Sequence, residues 1–458
     1  MTTRICSATI GLVYVIVTLA AHSMLRAGED DAQLVRRPYL GVLFRAEDTL
    51  EIRGFVSGTE WPASGLKLGD TIVKFNERPV SSVAEVLAAT KPFRVGDEVA
   101  LLVRRDGGDW PITLRLLEWP RERPAGFEVL YDEVRVANKS LRCLVTKPQQ
   151  AATGRVPAVF YIQGIDCASI ESPFPGPNHM RQFVYSLTRA GFAVMRCEKS
   201  GVGDSSGPDC KHLGLGEEVA DFTAALKKLK TYDFVDSNKV FLFGHSAGGW
   251  VAPLVAVNES VAGVAVYGTV VRPFGEYLVE NHRRNRWYRN HPDPAELEPE
   301  VRRMSRLWHL LLDERRTPAE ALKAEPELNE VAKHVFRGEP DCPYDARSLG
   351  YFRDVHEQNM PAVWGKVRVP VLAMIGQYEV RTSEFEHQYI TDIVNYHASG
   401  KATWKVLPKL DHGFAVHDTM QDAVANEFNG PFGNVVVSQS VEWMKAAVKG
   451  LDSETKEQ

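Results

Sequence analysis

Residues 240–249 read Val240-Phe241-Leu242-Phe243-Gly244-His245-Ser246-Ala247-Gly248-Gly249, and no other segment restricts the fold so tightly. The apolar run is that of a strand covered on both faces. A helix-compatible stretch, Ala247 to Val257, begins almost at once. Joining the two without a loop demands a strained turn, which lifts the Ser246 Oγ out of the sheet. Gly244 and Gly248 allow close packing around that turn. The Ala247 N–H then stands at a helix start, aimed where an oxyanion would form. Ser246 is the candidate nucleophile, and Ala247 one oxyanion donor.

A strand of this kind needs neighbours, and the chain supplies them. Strand candidates are Phe127–Val134, Leu141–Thr146, Ala158–Ile162, Phe192–Arg196, Val240–Phe243, Val261–Tyr267, Val369–Ile375 and Thr403–Leu407. Between them, Val219, Phe222, Leu226 and Leu229 form a helical stripe, and Val441, Met444 and Val448 form another. Strands alternating with helices predict an α/β domain with a mainly parallel sheet, over residues 125–449. Residues 272–366 interrupt that sheet. They are too long for a simple connection, and helical stretches at Phe274–Tyr288, Pro299–Asp313 and Pro318–Val335 predict a helical cap. The cluster Arg283, Arg284, Arg286 and Arg289 reads as a solvated helix face.

A serine nucleophile needs a base, and the base an orienting carboxylate. Strand Val369–Ile375 ends at Gly376, and Glu379 follows on the loop. Glu384 and Glu386 lie further on, in what reads as the next helix. After Thr403–Leu407 comes Pro408-Lys409-Leu410-Asp411-His412-Gly413. His412 is therefore the candidate base and Glu379 the candidate acid. His417 and His387 are the rivals for the base, and His245 is fixed in the turn. Asp411 is expected to shape the histidine loop. The second oxyanion donor is expected after Ala158–Ile162, where Gln163-Gly164-Ile165 aims the Ile165 N–H at the site. The Glu198–Gly207 segment carries glycines without a phosphate-loop pattern, and reads as a tight loop at the sheet rim. No metal-ligand spacing and no cofactor motif is present.

Together these residues resemble the α/β-hydrolase fold, and Arg196-Cys197-Glu198-Lys199-Ser200-Gly201-Val202-Gly203-Asp204-Ser205-Ser206-Gly207 is similar to a loop of many such enzymes. The likeness is to serine-aminopeptidase-like and dienelactone-hydrolase-like esterases and peptidases. It implies a Ser246–His412–Glu379 triad and acyl-enzyme chemistry. A carboxylic ester is the expected substrate, with a peptide as the alternative.

Ahead of this domain, residues 37–119 carry Trp61-Pro62-Ala63-Ser64-Gly65-Leu66-Lys67-Leu68-Gly69-Asp70-Thr71-Ile72. This string resembles the signature of PDZ domains, and Tyr39-Leu40-Gly41-Val42 resembles their carboxylate-binding loop. Backbone N–H groups beside a sheet edge can hold a peptide C-terminus. Two expectations follow for this domain: capture of a peptide C-terminus, or a structural or regulatory module that binds no free peptide. In a third reading the whole chain would be a non-catalytic peptide-binding protein.

Arg4 followed by the apolar run Ile10–Ala21 reads as a secretory signal within residues 1–27, with cleavage at Ala21-His22-Ser23 or, as the alternative, at Arg26-Ala27. The expected location is periplasmic or extracellular, with an uncleaved N-terminal anchor as the alternative, and no other stretch can span a bilayer. In an oxidising compartment Cys167 and Cys210, on loops near the site mouth, are a candidate disulfide. The 54 basic and 59 acidic side chains nearly cancel, so nothing points to nucleic acid.

Overall fold

The computed structural model describes residues 34–46, 49–56, 65–174 and 176–457. The predicted signal segment and Trp61–Ser64 of the PDZ-like string lie outside the described residues. The small N-terminal part is built from β1 (Pro38–Tyr39), β2 (Val42–Ala46), β3 (Thr49–Phe55), β4 (Thr71–Phe75), β5 (Arg78–Pro79), α1 (Val83–Thr90), β6 (Glu98–Arg105), β7 (Gly108–Arg115) and β8 (Leu117–Glu118). Its sheet runs β2-β3-β4-β6-β7, with β5 on β4 and β1 paired to β8. Leu40, Val42, Ile52, Ile72 and Val103 are in its core. Ser82 caps α1 by accepting from the Glu85 N–H. Asp70 of the Gly-Asp pair is buried, accepts the Lys67 N–H at 2.8 Å and pairs with Arg105 at 2.6 Å.

All eight strands expected in the large part are present: β9 (Glu128–Val136), β10 (Lys139–Lys147), β11 (Val156–Ile162), β12 (Ala193–Cys197), β13 (Val235–His245), β14 (Gly263–Tyr267), β15 (Val371–Gly376) and β16 (Ala402–Leu407). They form one sheet in the order β16-β15-β14-β13-β11-β12-β10-β9. The run from β12 to β16 is parallel, and β10 is antiparallel to both its neighbours. Alternation along β11 divides its side chains between two cores. Ala158, Phe160 and Ile162 face one, Val159 and Tyr161 the other. Helices α2 (His179–Arg189), α3 (Leu215–Leu229) and α4 (Gly248–Ala256) follow their strands.

The cap lies between β14 and β15 and comprises α5 (Phe274–Asn290), α6 (Pro294–Leu312), α7 (Pro318–Ala324), α8 (Asn329–Val335), α9 (Leu349–Glu357) and α10 (Met360–Trp364). Two expectations need correction. The stretch Pro318–Val335 is not one helix, because Pro326 lacks the N–H that would continue it. The second cap helix starts at Pro294 rather than Pro299. Asp293 caps it, and the helix runs on through Pro299. The chain closes with α11 (Glu384–His397), α12 (Met420–Ala425) and α13 (Val435–Glu457).

The strand order fixes where a site can form. From β11 the chain moves to β12 on one side, then returns to β13 on the other. Ligands of open α/β sheets bind beyond the carboxyl ends of the strands at such a reversal. Those ends carry Gln163–Ile165 and His245–Ala247.

The join between the two parts is well packed. Tyr39 lies edge-on to Trp119, with ring centroids 4.7 Å apart, and 5.5 Å from Phe174. Arg36 pairs with Asp204 at 2.5 Å and Glu171 at 2.7 Å. The connecting segment is also anchored: Glu122 is buried, meets Arg196 at 2.6 Å and accepts from the Ser172 N–H.

Candidate active site

Ser246 has a φ of +54°, a conformation that non-glycine residues seldom hold. Close approach is what fixes it. A side chain on Gly244 would collide with the Gly248 carbonyl, and one on Gly248 with the Ile162 carbonyl. The elbow is therefore pressed against the loop leaving β11. Ala247 is the N-cap of α4, so its N–H lies at the helix start.

His412 and Glu379 come together beside this turn. His412 Nδ1 is 2.6 Å from Glu379 Oε2. The other carboxylate oxygen accepts the Arg381 N–H at 2.6 Å and the Thr382 N–H at 3.3 Å. Burial alone would raise the Glu379 carboxyl, but the charge and hydrogen bond of His412, with the Arg381 N–H, bring it down to about 2. The His412 carbonyl meets His245 Nε2 at 2.8 Å, and the two rings are 5.2 Å apart. The histidine loop is thus tied to the residue before Ser246. Burial, reinforced by His412, lowers the His245 imidazole to about 4.

The rivals are occupied elsewhere. Glu386 accepts from the Val271 and Arg272 N–H groups and pairs with the Arg272 guanidinium. His387 bonds the Ser383 carbonyl and the Thr269 N–H. His417 meets Asp411 at 3.1 Å, and Asp411 also accepts from the Gly413, Ala415 and Phe428 N–H groups. That is the loop-shaping part expected of Asp411. Glu384 is exposed.

Ser246 and Ile165 line one cavity of about 710 Å³ beneath the cap. Trp250, Phe274, Leu278 and Phe352 give it an apolar wall, while Arg286, Arg289, Arg337 and Arg381 give it a basic one. The arginine cluster is a solvated face only in part: the Arg283 and Arg289 side chains reach solvent, and each member has a partner. Arg286 pairs with Glu300, Arg289 with Glu427, and Arg283 with Glu298. Arg284 donates to the Glu379 carbonyl at 2.8 Å, so α5 helps hold the loop that carries Glu379. That partner lies about a hundred residues away in sequence, so the periodicity of the helix holds no sign of it.

Three further features were not legible. Gly268 has a φ of +61°, and a Cβ there would lie 2.9 Å from His412 Nδ1 and 3.1 Å from Glu379 Oε2. Glu198 is fully buried, accepts from Ser169 Oγ at 2.5 Å and from the Ile170 N–H, and burial raises its carboxyl to about 7. Lys199, beside it, is buried too. The sequence signal for both is a charged pair leaving a buried strand in a glycine-rich loop. The disulfide expected between Cys167 and Cys210 is present, and Cys143, Cys197 and Cys342 are free.

At the small domain, Tyr39, Leu40 and Val42 are buried and Gly41 has a φ of +76°. The Tyr39 hydroxyl donates to the Val42 carbonyl at 2.5 Å. Among the described residues no helix is long and apolar enough to cross a membrane.

A model of the alpha/beta hydrolase family matches residues 172–427, and a PDZ domain model matches residues 38–116. Esterase EstD of Thermotoga maritima is 22% identical over 322 residues, spanning 69% of this chain and 68% of its own. Among solved structures, Est1E of Butyrivibrio proteoclasticus with ferulic acid bound covers 69% of this chain and 99% of its own, at 14% identity and a TM-score of 0.44. A dienelactone hydrolase of Anabaena variabilis covers 70% and 98%, at 14% identity and a TM-score of 0.39.

Proposed function

Because the chain belongs to the alpha/beta hydrolase family and carries a PDZ domain ahead of that fold, we propose that it is an exported serine hydrolase that cleaves a carboxylic ester. The observation that carries the reading is the His412–Glu379 contact of 2.6 Å beside the positive-φ Ser246. In this mechanism His412 takes the proton from Ser246 as its Oγ attacks the ester carbonyl. Glu379 holds the imidazole in its tautomer and stabilises the imidazolium. The Ile165 and Ala247 N–H groups receive the tetrahedral oxyanion. His412 returns the proton to the leaving alcohol, and water then attacks the acyl-enzyme by the same route.

A cavity of about 710 Å³ bordered by cap helices has room for a small ester. EstD, a relative at 22% identity, is named an esterase. The apolar wall fits an acyl or aryl group. For the small domain we propose capture of a peptide C-terminus by the Tyr39–Val42 loop. Export agrees with the Cys167–Cys210 disulfide, which an oxidising compartment would preserve.

The test is labelling of the mature protein with a fluorophosphonate, beside Ser246→Ala, followed by a panel of acyl esters and short peptides. Labelling that needs Ser246, with turnover of esters, is the expected result. A folded protein that labels equally without Ser246 would sink the proposal. Turnover of peptides alone would replace ester with amide.

A further inference from the structure

Lys199 leaves β12 and turns beneath the loop that follows β11. Its Nζ donates to the Gly164 carbonyl at 2.5 Å and to the Asp166 carbonyl at 2.9 Å, and it lies 3.1 Å from Glu218 Oε1. An ammonium has three N–H donors, so all three are used. The side chain is 2% exposed. Glu218 also pairs with the buried Arg347 at 3.1 Å. Burial pushes the Lys199 ammonium down and Glu218 opposes it.

The Gly164 carbonyl and the Ile165 N–H belong to one peptide unit. That unit is planar and trans, so its C=O and N–H point in opposite directions. Holding the Gly164 oxygen on one side therefore sets the direction of the Ile165 N–H on the other. The bond to the Asp166 carbonyl holds the Asp166–Cys167 peptide, so the loop is gripped on both sides of Ile165. Gly164 also stands against the nucleophile candidate. A Cβ on it would lie 3.4 Å from Ser246 Cβ and 3.7 Å from its Oγ. A positive charge on a carbonyl oxygen, moreover, polarises the peptide and makes its N–H a stronger donor.

We propose that Lys199 is a positioning residue that orients and polarises the Gly164–Ile165 peptide as an oxyanion donor. The inference rests on the reading of Ser246 as nucleophile and Ile165 as donor. Lys199 touches no substrate. Its effect belongs to the transition state, where the oxyanion forms, and so to kcat rather than KM.

The experiment compares wild type with Lys199→Met and Lys199→Gln. It measures kcat and KM per fluorophosphonate-labelled Ser246, and the inhibition constant of a boronic acid that forms a tetrahedral adduct with the serine. Loss of a whole oxyanion donor costs about 10²–10³-fold in kcat. Acting through Ile165, Lys199→Met is expected to lose about 10–100-fold in kcat with KM within about threefold. Boronate affinity should weaken in step with kcat/KM. Lys199→Gln keeps donors without the charge and should fall between the two. A Lys199→Met protein with a lower melting temperature but unchanged kcat and boronate affinity makes the lysine only a loop tie, and overturns the proposal. Where Lys199→Met does not fold, Lys199→Gln decides: a loss of about fivefold or more supports it, and wild-type values overturn it. Absence of Ser246-dependent labelling in the wild type is a separate result, and it removes the functional reading and this inference together.

Discussion

Glu379 Oε2 and His412 Nδ1 stand 2.6 Å apart with side-chain exposures of 1% and 6%. A charge-assisted contact in so little water is strong, and it holds the imidazole in one orientation. Glu379→Gln keeps the shape and the acceptor for the Arg381 N–H, but its amide can present an N–H to Nδ1 and select the wrong tautomer. In a comparable triad the equivalent change lowered kcat about 10⁴-fold. A fall of about 10²–10⁴ in kcat with little change in KM is expected, read by steady-state ester hydrolysis. Activity within tenfold of wild type would remove Glu379 from the assignment.

Gly268 gives a sharper test of the same pair. Gly268→Ala brings a methyl to 2.9 Å from His412 Nδ1 at a φ of +61°. Gly400→Ala shares the conformational strain, with a φ of +73° and no atom within 4 Å. Each should cost about 1–3 kcal/mol of stability from backbone strain. Only Gly268→Ala should also lower kcat, by about tenfold or more, because the imidazole is displaced. Equal kcat in both variants would show that the dyad tolerates the methyl.

Glu198 should make stability fall as pH rises. Burial raises its carboxyl to about 7 from 4.5, so between those values the folded protein keeps a proton that the unfolded chain has released. The contribution is full below about 4.5 and is lost as pH rises through about 7. Its size is about 3 kcal/mol. His245, lowered to about 4, acts in the opposite direction from about 6.5 downwards, but it is common to wild type and variant. Urea unfolding from pH 4 to pH 8 should therefore show Glu198→Gln gaining on wild type across the window. Parallel curves would contradict the burial argument.

The disulfide joins residues 43 positions apart. Closing a loop of that length stabilises by about 2–4 kcal/mol. Cys210→Ser should lose about that much, and reductant should lower the melting temperature of wild type to that of the variant. A wild-type melting temperature indifferent to reductant would mean that the bond adds nothing.

What could be read in advance was whatever local pattern determines. The eight strands were visible because continuous apolar runs bounded by glycine, proline and charge have few alternatives. Ser246, Glu379 and His412 are candidates because each follows such a strand, and the structure brings the last two into contact. Gly268 also follows a strand, yet its importance lies in how near it passes to two side chains more than a hundred residues away. Local pattern places Lys199 and Glu198 in a rim loop, since charged residues among glycines are usually solvated. Their burial depends on β10, β11 and α3 closing around them. Cap helices α9 and α10 escaped notice because they are short, and Pro326 broke a stretch whose apolar spacing alone was continuous.

The join at Arg36 and Tyr39 bears on how this protein can be cut into pieces. A fragment beginning at Phe127 would keep every side chain of the candidate site. It would also uncover Phe174, strip Glu171 and Asp204 of the Arg36 guanidinium, and leave Arg196 without Glu122. A buried charge that loses its partner costs about 3–5 kcal/mol. Such a fragment would thus expose a sticky aromatic face and carry an orphaned charge under it. Poor solubility on truncation would then be a property of the cut surface, and an inactive fragment would say nothing about allosteric control by the PDZ domain.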